Sequence, residues 1–406
     1  MHRHHAAAAH TPMHPHTHPH THPHAFARHH GRRSAAGGLL ARLSDRFLLL
    51  PLGAAIALVW ANTAAESYFR FAQPLAFPVN EIGMALFFGL ITQEIVEAVM
   101  PGGALHSWRR WGLALVGAAG GLAGAAAIFL AFVGYSYETV LMPGWPIACV
   151  IDIAAAYYAL KTVLPRSGAL PFALLLGIST NVVMIVIVAP RFPVLAVHAG
   201  GAALILVALG LAGLMRTLRV RVFWPYLLIC GTVSWLAFYR EGLHPAFALV
   251  PIVPFLRHEP RRLDLFADPP DDDATHHFEH EWNTLVQVIL FFFGLVNAGV
   301  MLSGYDTGTW AVMLAALVGR PLGILTAVGA AVVLGLHLPK RIGWRELVVI
   351  SLATSTGFAF GLFVATGILS IGPARAQLTI GVLATAVGWL LALGAARALR
   401  VGRFAR

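Results

Sequence analysis

Between residues 47 and 399 the chain is a succession of apolar stretches with almost no charge inside them, and no other feature restricts its fold so strongly. Stretches of the roughly 17–25 residues that carry a helix across a bilayer core can be read near 47–63, 79–100, 112–133, 145–163, 171–189, 197–215, 222–239, 243–256, 284–302, 309–334, 345–368 and 377–396. No water reaches the main chain at that depth, so each stretch must satisfy its own N–H and C=O groups as a helix. The expected fold is an all-α polytopic membrane protein of about twelve transmembrane helices. The eighth stretch is the weakest, because LHPAFALVPIVPF is short and carries Pro245, Pro251 and Pro254. With 58% hydrophobic and 11% charged residues, the chain has no soluble-domain composition. Its formal charge of +10 would suggest nucleic acid in a soluble protein. Here Lys and Arg sit in short loops along one membrane face, and no nucleic-acid partner is expected.

The same loops set the orientation. The amino-terminal tail, every second loop and the carboxyl terminus together hold 23 of the 28 basic residues, the opposite loops hold Arg70, Arg191, Arg240 and Arg375, and Arg320 lies within a span. That asymmetry puts both termini in the cytoplasm. The chain divides into a tail (1–46), a transmembrane domain (47–399) with a long acidic loop (257–283), and a basic carboxyl terminus (400–406).

The tail holds twelve of the twenty histidines, six of them, His14, His16, His18, His20, His22 and His24, alternating with Pro or Thr. This pattern builds no packed core, so disorder is expected. It is read either as a solvated low-complexity segment or as a tract that gathers Zn, Ni or Cu through neutral imidazoles, or charges near pH 6.5. An added purification tag does not fit interrupted histidines. In the acidic loop, His276 and His280 share i, i+4 spacing beside Glu279, a weak metal pattern without a third ligand. Cys149 and Cys230 both fall in apolar stretches, so neither a disulfide nor a zinc knuckle is expected. No phosphate-cradling loop and no nucleophile–base pair is present, so the chain does not read as an enzyme and requires no cofactor.

Two ionisable residues lie deep in spans. Asp152 sits in GWPIACVIDIAAAYYALK, and Arg320 in LVGRPLGI about 170 positions further on. A charge at the bilayer centre costs at least ~2.5–3.5 kcal/mol, so such residues face a cavity or a partner and mark ion or substrate paths. The bland alternative is an ion pair that only locks helices. Two spans also look interrupted: the fourth by Pro146 ahead of Asp152, the eleventh by Thr354, Ser355, Thr356 and Gly357 in LATSTGFAFG. Paired interruptions in the two halves of a chain point to a transporter site at the midplane.

In MALFFGLITQEIVEAV, GWPIACVIDIA, GLVNAGVML, LVGRPLGI and TGFAFGLFVA, taken in this order and spacing from about Leu43 to Leu399, the chain resembles the NhaA-type sodium/proton antiporters. The resemblance implies two inverted three-helix repeats, spans 3 to 5 and 10 to 12, whose unwound fourth and eleventh helices cross at the ion site. It implies electrogenic exchange of sodium or lithium for protons across the bacterial inner membrane. Asp152 matches the family's aspartate at the crossing, with Ile151 where the family has threonine. Arg320 matches a lysine of the tenth span; a buried lysine can release its proton, whereas arginine cannot. Glu94 matches an acidic pH-response position of the second span. Ala98 replaces the next acid there, and Glu97 is its candidate stand-in.

The fifth span, LLLGISTNVVMIVIV, departs from the family, placing Thr180 and Asn181 where it has two adjacent aspartates. Neither titrates, and a hard cation wants oxygen ligands with compensating negative charge. Three readings stay open. One is antiport with Asp152 as carboxylate, Thr180 and Asn181 as neutral oxygen ligands, and Arg320 as counter-charge. Another is the same architecture with a different substrate, such as an anion facing Arg320 and the positive helix ends. The third is a membrane sensor or assembly protein working through its His-rich tail. The lipid bilayer and a small ion are the expected partners; a homodimer is compatible with the sequence, which does not fix the oligomeric state.

Overall fold

The computed structural model describes residues 48–99, 108–164, 169–188, 199–220, 222–256, 274–339 and 342–405, all within a compact unit of residues 42–406. Every regular element among them is helical. Leu49–Thr63 (α1) is followed by Ala65–Phe77 (α2), which continues through a π-helical segment, Pro78–Gly83, into Met84–Val99 (α3). Pro74 and Pro78 remove two main-chain donors four residues apart, and the wider π turn accommodates the lost bonds. Trp108–Tyr135 (α4) is an uninterrupted 28-residue helix.

The fourth expected span is broken as its sequence suggests. A 3-10 segment, Thr139–Gly144, leads into Trp145–Cys149 (α5), the helix opens over 150–152, and Ile153–Val163 (α6) resumes at a bend of 49°. Ala169–Val188 (α7) follows, buried without interruption from Phe172 to Asn181. A helix apolar on every side occupies the centre of a bundle. Ala199–Thr217 (α8) and Thr232–Arg240 (α9), the latter entered through a π-helical Tyr226–Gly231, share a small core around Ala208, Ala212, Tyr226, Cys230 and Ile252.

The eighth expected span is not a helix. Residues 243–256 form turns containing two 3-10 segments, Pro245–Phe247 and Val253–Phe255. Three proline rings in ten residues each remove a donor and collide with the carbonyl four positions back, which a continuous helix cannot absorb. Ala274–Asn297 (α10) then leads to Thr307–Leu314 (α11), a π-helical Ala315–Gly319, and Arg320–Val333 (α12), which form one 27-residue span. The π turn precedes Pro321, whose ring would strike the carbonyl of Leu317 in a regular helix. Trp344–Ala353 (α13) opens over 354–357 and resumes as Phe358–Ile368 (α14) at 45°. Pro373–Ala384 (α15) and Val387–Ala398 (α16) complete the chain.

Among the described residues six helical spans are long and apolar enough to cross a membrane, or eight when each bent pair is one span. The first and ninth expected spans appear as shorter apolar helices, Leu49–Thr63 and Leu285–Asn297. Among the described residues the structure therefore shows fewer than twelve full-length spans.

Helices α4 and α12 approach backbone to backbone. A Cβ added at Gly120 or Gly124 would land on the carbonyl of Gly323 or Gly319, and one at Gly323 on that of Gly120. Small residues on both faces allow this contact, and it draws Arg320 into the interior, where it is 1% exposed. Two large apolar cores meet along the broken helices: Val150 and Phe358 belong to one, Ile151 and Ala353 to the other.

Candidate functional site

The two broken helices cross where they are unwound. The main-chain N–H of Asp152 donates to the carbonyl of Thr356 at 2.8 Å. Gly357 makes the approach feasible, since a Cβ there would lie 2.8 Å from the carbonyl oxygen of Val150. Breaking two helices at one place leaves four helix ends facing each other, two with unpaired N–H groups and two with unpaired carbonyls.

Asp152 serves the two positive ends. It is the N-cap of α6, where its Oδ1 accepts from Ala155 N at 3.1 Å, and its Oδ2 accepts from Ala359 N in the first turn of α14 at 3.2 Å. Arg320 serves the two negative ends. Its Nη1 donates to Thr354 O, at the C-terminus of α13, at 2.6 Å; its Nη2 donates to Val150 O at 2.7 Å and to Ala148 O, both at the end of α5. One carboxylate on two helix N-termini and one guanidinium on two C-termini match the sign of each helix dipole. Among the described residues the two form no ion pair with each other. Each answers a pair of helix ends.

The other expected residues divide by what their polar groups meet. Asn181, 2% exposed, uses its amide on the unwound segment: Oδ1 accepts from Ile151 N at 3.1 Å and Nδ2 donates to Ile151 O at 2.8 Å. Thr180 turns its hydroxyl onto Leu176 O of its own helix at 2.8 Å. The hydroxyls of Thr354 and Ser355 both bond Ser351 O, at 2.9 and 3.0 Å. Thr356 alone of the three hydroxyl residues lines a cavity with Asp152. The side chains of Glu94 and Glu97, and those of His276, Glu279 and His280, lie outside the described residues, as does the tail with His14 to His24.

The cavity has a volume of about 390 Å³ and is mainly apolar, walled by Phe87, Leu290, Phe358 and Trp389. Its polar lining is Asp152, Thr356, Tyr158 and Gln287, so Asp152 is its single carboxylate among the described residues. Sequence reasoning missed Gln287, 3% exposed on α10, although a lone amide in LVQVILFFFG was a usable signal. It also missed Thr385, whose hydroxyl at the α15–α16 break accepts from Gly357 N at 3.2 Å. No local pattern distinguishes that threonine from others in apolar spans.

Comparison with known proteins gives a consistent answer. The family described as Na+/H+ antiporter 1 matches residues 42–395. A protein named Na(+)/H(+) antiporter NhaA from Desulfitobacterium hafniense is 36% identical over 372 residues, covering 88% of this chain and 95% of that protein. Another of that name, from Geobacter metallireducens, is 37% identical over 333 residues, covering 79% of this chain and 87% of its own. The solved sodium proton antiporter MjNhaP1 of Methanocaldococcus jannaschii superposes with a TM-score of 0.51 at 16% identity, covering 91% of this chain and 96% of the other, which is a likeness of fold. On the family match and these identities, the chain belongs to the Na+/H+ antiporter 1 family.

Proposed function

We propose that the protein exchanges sodium or lithium ions for protons across the membrane, with Asp152 as the one carboxylate that binds each in turn. The observation that carries this reading is the position of Asp152, among the described residues the only acid lining a cavity of about 390 Å³ that reaches the helix crossing. A deprotonated Asp152 offers the negative oxygen a hard cation needs, with Thr356 and the peptide oxygens of the unwound segments as neutral ligands. Protonation removes that charge and releases the cation, so proton and cation compete for one group. Arg320 stays charged throughout and holds the crossing. Asn181 holds the unwound segment at Ile151, Thr354 and Ser355 bond the end of α13, Thr180 on α7 is a candidate neutral ligand, and Glu94 and Glu97 are candidates for pH response.

The anion reading loses ground on the same geometry. The positive ends of α6 and α14 already face Asp152, and the bonds of Arg320 run to helix carbonyls. The relatives' printed names, Na(+)/H(+) antiporter, support the cation reading. The 23-to-4 division of basic residues between the two sides, termini included, supports a bacterial inner-membrane orientation with both termini in the cytoplasm.

The test is sodium- or lithium-driven proton movement in vesicles containing the full chain, compared with Asp152→Asn between about pH 6 and 9. The reading requires cation-dependent proton flux that Asp152→Asn reduces to the empty-vesicle background. Equal flux in both proteins, or none in either with insertion confirmed, would overturn it.

A further inference from the structure

Three successive residues of the unwound segment are each held by a different element. Val150 O is taken by Arg320 of α12, Ile151 by Asn181 of α7, and Asp152 N by Thr356 O. The middle attachment is unusual in kind. Asn181 satisfies both main-chain groups of one residue, accepting from its N–H and donating to its C=O, as a neighbouring β-strand would. Ile151 is 1% exposed and lies between two helices, so it has neither water nor a helical turn to bond instead.

We propose that Asn181 is the positioning residue of the ion site, a two-point clamp on Ile151 that fixes the peptide unit carrying Asp152 against α7. The clamp requires a short side chain that donates and accepts at once. A carboxamide does so at any pH; an ionised carboxylate only accepts, and would face Ile151 O with no hydrogen between them. Leucine has the same branched arrangement of side-chain heavy atoms and offers neither function. The clamp thus holds the crossing in one arrangement whatever the proton concentration, and leaves Asp152 as the group there that responds to it. The charged groups at the same unwound segment are Asp152 itself, one residue along, and Arg320, which donates to Val150 O.

This assignment rests on Asp152 being the ion-binding group, but its test does not require transport. Hydrogen exchange of the segment spanning residues 149–153 is measured in the purified full chain, in Asn181→Asp and in Asn181→Leu. Each variant is compared with the natural protein at the same pH, near pH 5 and near pH 9, so that intrinsic exchange rates cancel. Asn181→Leu should exchange about tenfold faster at both pH values, because two buried main-chain groups lose their partners. Asn181→Asp should match the natural protein near pH 5, where the protonated acid both donates and accepts, and exchange about tenfold faster near pH 9. A side chain that merely fills space would give no pH-dependent difference between asparagine and aspartate. Natural protection in Asn181→Asp at both pH values would overturn the clamp. Should Asn181→Leu fail to fold, the two pH values of Asn181→Asp decide alone. If the clamp fails while vesicle exchange through Asp152 stands, the antiport reading survives; if exchange is absent but the clamp holds, only that reading falls.

Discussion

At the scale of single residues, two charges do the work of holding four helix ends, and the work differs between them. Asp152→Asn keeps the cap on Ala155 N through its one oxygen, but its NH2 then faces the Ala359 N–H, which loses its acceptor at about 1–3 kcal/mol. It should therefore lower the thermal midpoint modestly while removing exchange. Arg320→Leu should do the reverse of a silent change. It strands Thr354 O, Val150 O and Ala148 O in the interior, at about 1–3 kcal/mol for each orphaned group. Loss of folded protein in a thermal-shift assay is the expected result, and Arg320→Lys, whose ammonium reaches fewer of the carbonyls, should fall between. A natural midpoint in Arg320→Leu would show that those bonds do not hold the crossing. Both charges were legible in the sequence, because isolated charges in apolar spans stand out. Their partners were not: the sequence left open whether Asp152 and Arg320 meet as an ion pair, and the structure gives each to main-chain groups that no sequence pattern displays. Asn181 was legible as a departure from two aspartates and illegible as a clamp, since Ile151 is an ordinary apolar residue until the helix opens around it.

At the scale of elements, the interruptions of the fourth and eleventh spans were readable from Pro146 and from the hydroxyl–glycine run 354–357, and both appear as bent pairs. The eighth span was misread in the opposite sense: its apolar content suggested a helix, and its three prolines prevented one. Hydrophobicity sets where a segment resides; main-chain donors decide what shape it takes there. The crossing tolerates little added bulk. Gly357→Ala puts a methyl 2.8 Å from Val150 O, and the backbone shift needed to relieve it should cost about 1–3 kcal/mol. Gly394, in the middle of α16 with nothing within 4 Å of an added Cβ, is the matched control. Gly394→Ala should be neutral or stabilise by about 0.5–1 kcal/mol through helix propensity. Thermal shifts of the two variants check the contrast, and equal shifts would show that the crossing is looser than its geometry suggests.

At the scale of the molecule, the apolar runs alone dictated an all-helical membrane protein, and the order of five motifs indicated the family that the match over residues 42–395 shows. The number of spans was less legible, because π segments, 3-10 turns and breaks divide apolar sequence in ways that hydropathy averages away. What most separates this chain from the pattern it resembles is charge. With Thr180 and Asn181 in the fifth span, Asp152 is the single acid at the crossing among the described residues. Under the proposed exchange, one carboxylate trades one proton for one monovalent cation, and the cycle then carries no net charge. The most direct measurement is the gradient at which exchange stops, in vesicles of the full chain with a fixed pH difference and membrane potentials imposed by potassium and valinomycin. The single-carboxylate account predicts zero net flux where the sodium gradient equals the proton gradient, at every imposed potential. A stopping point that moves with potential would mean that a second proton is carried, and that another group shares the task assigned to Asp152.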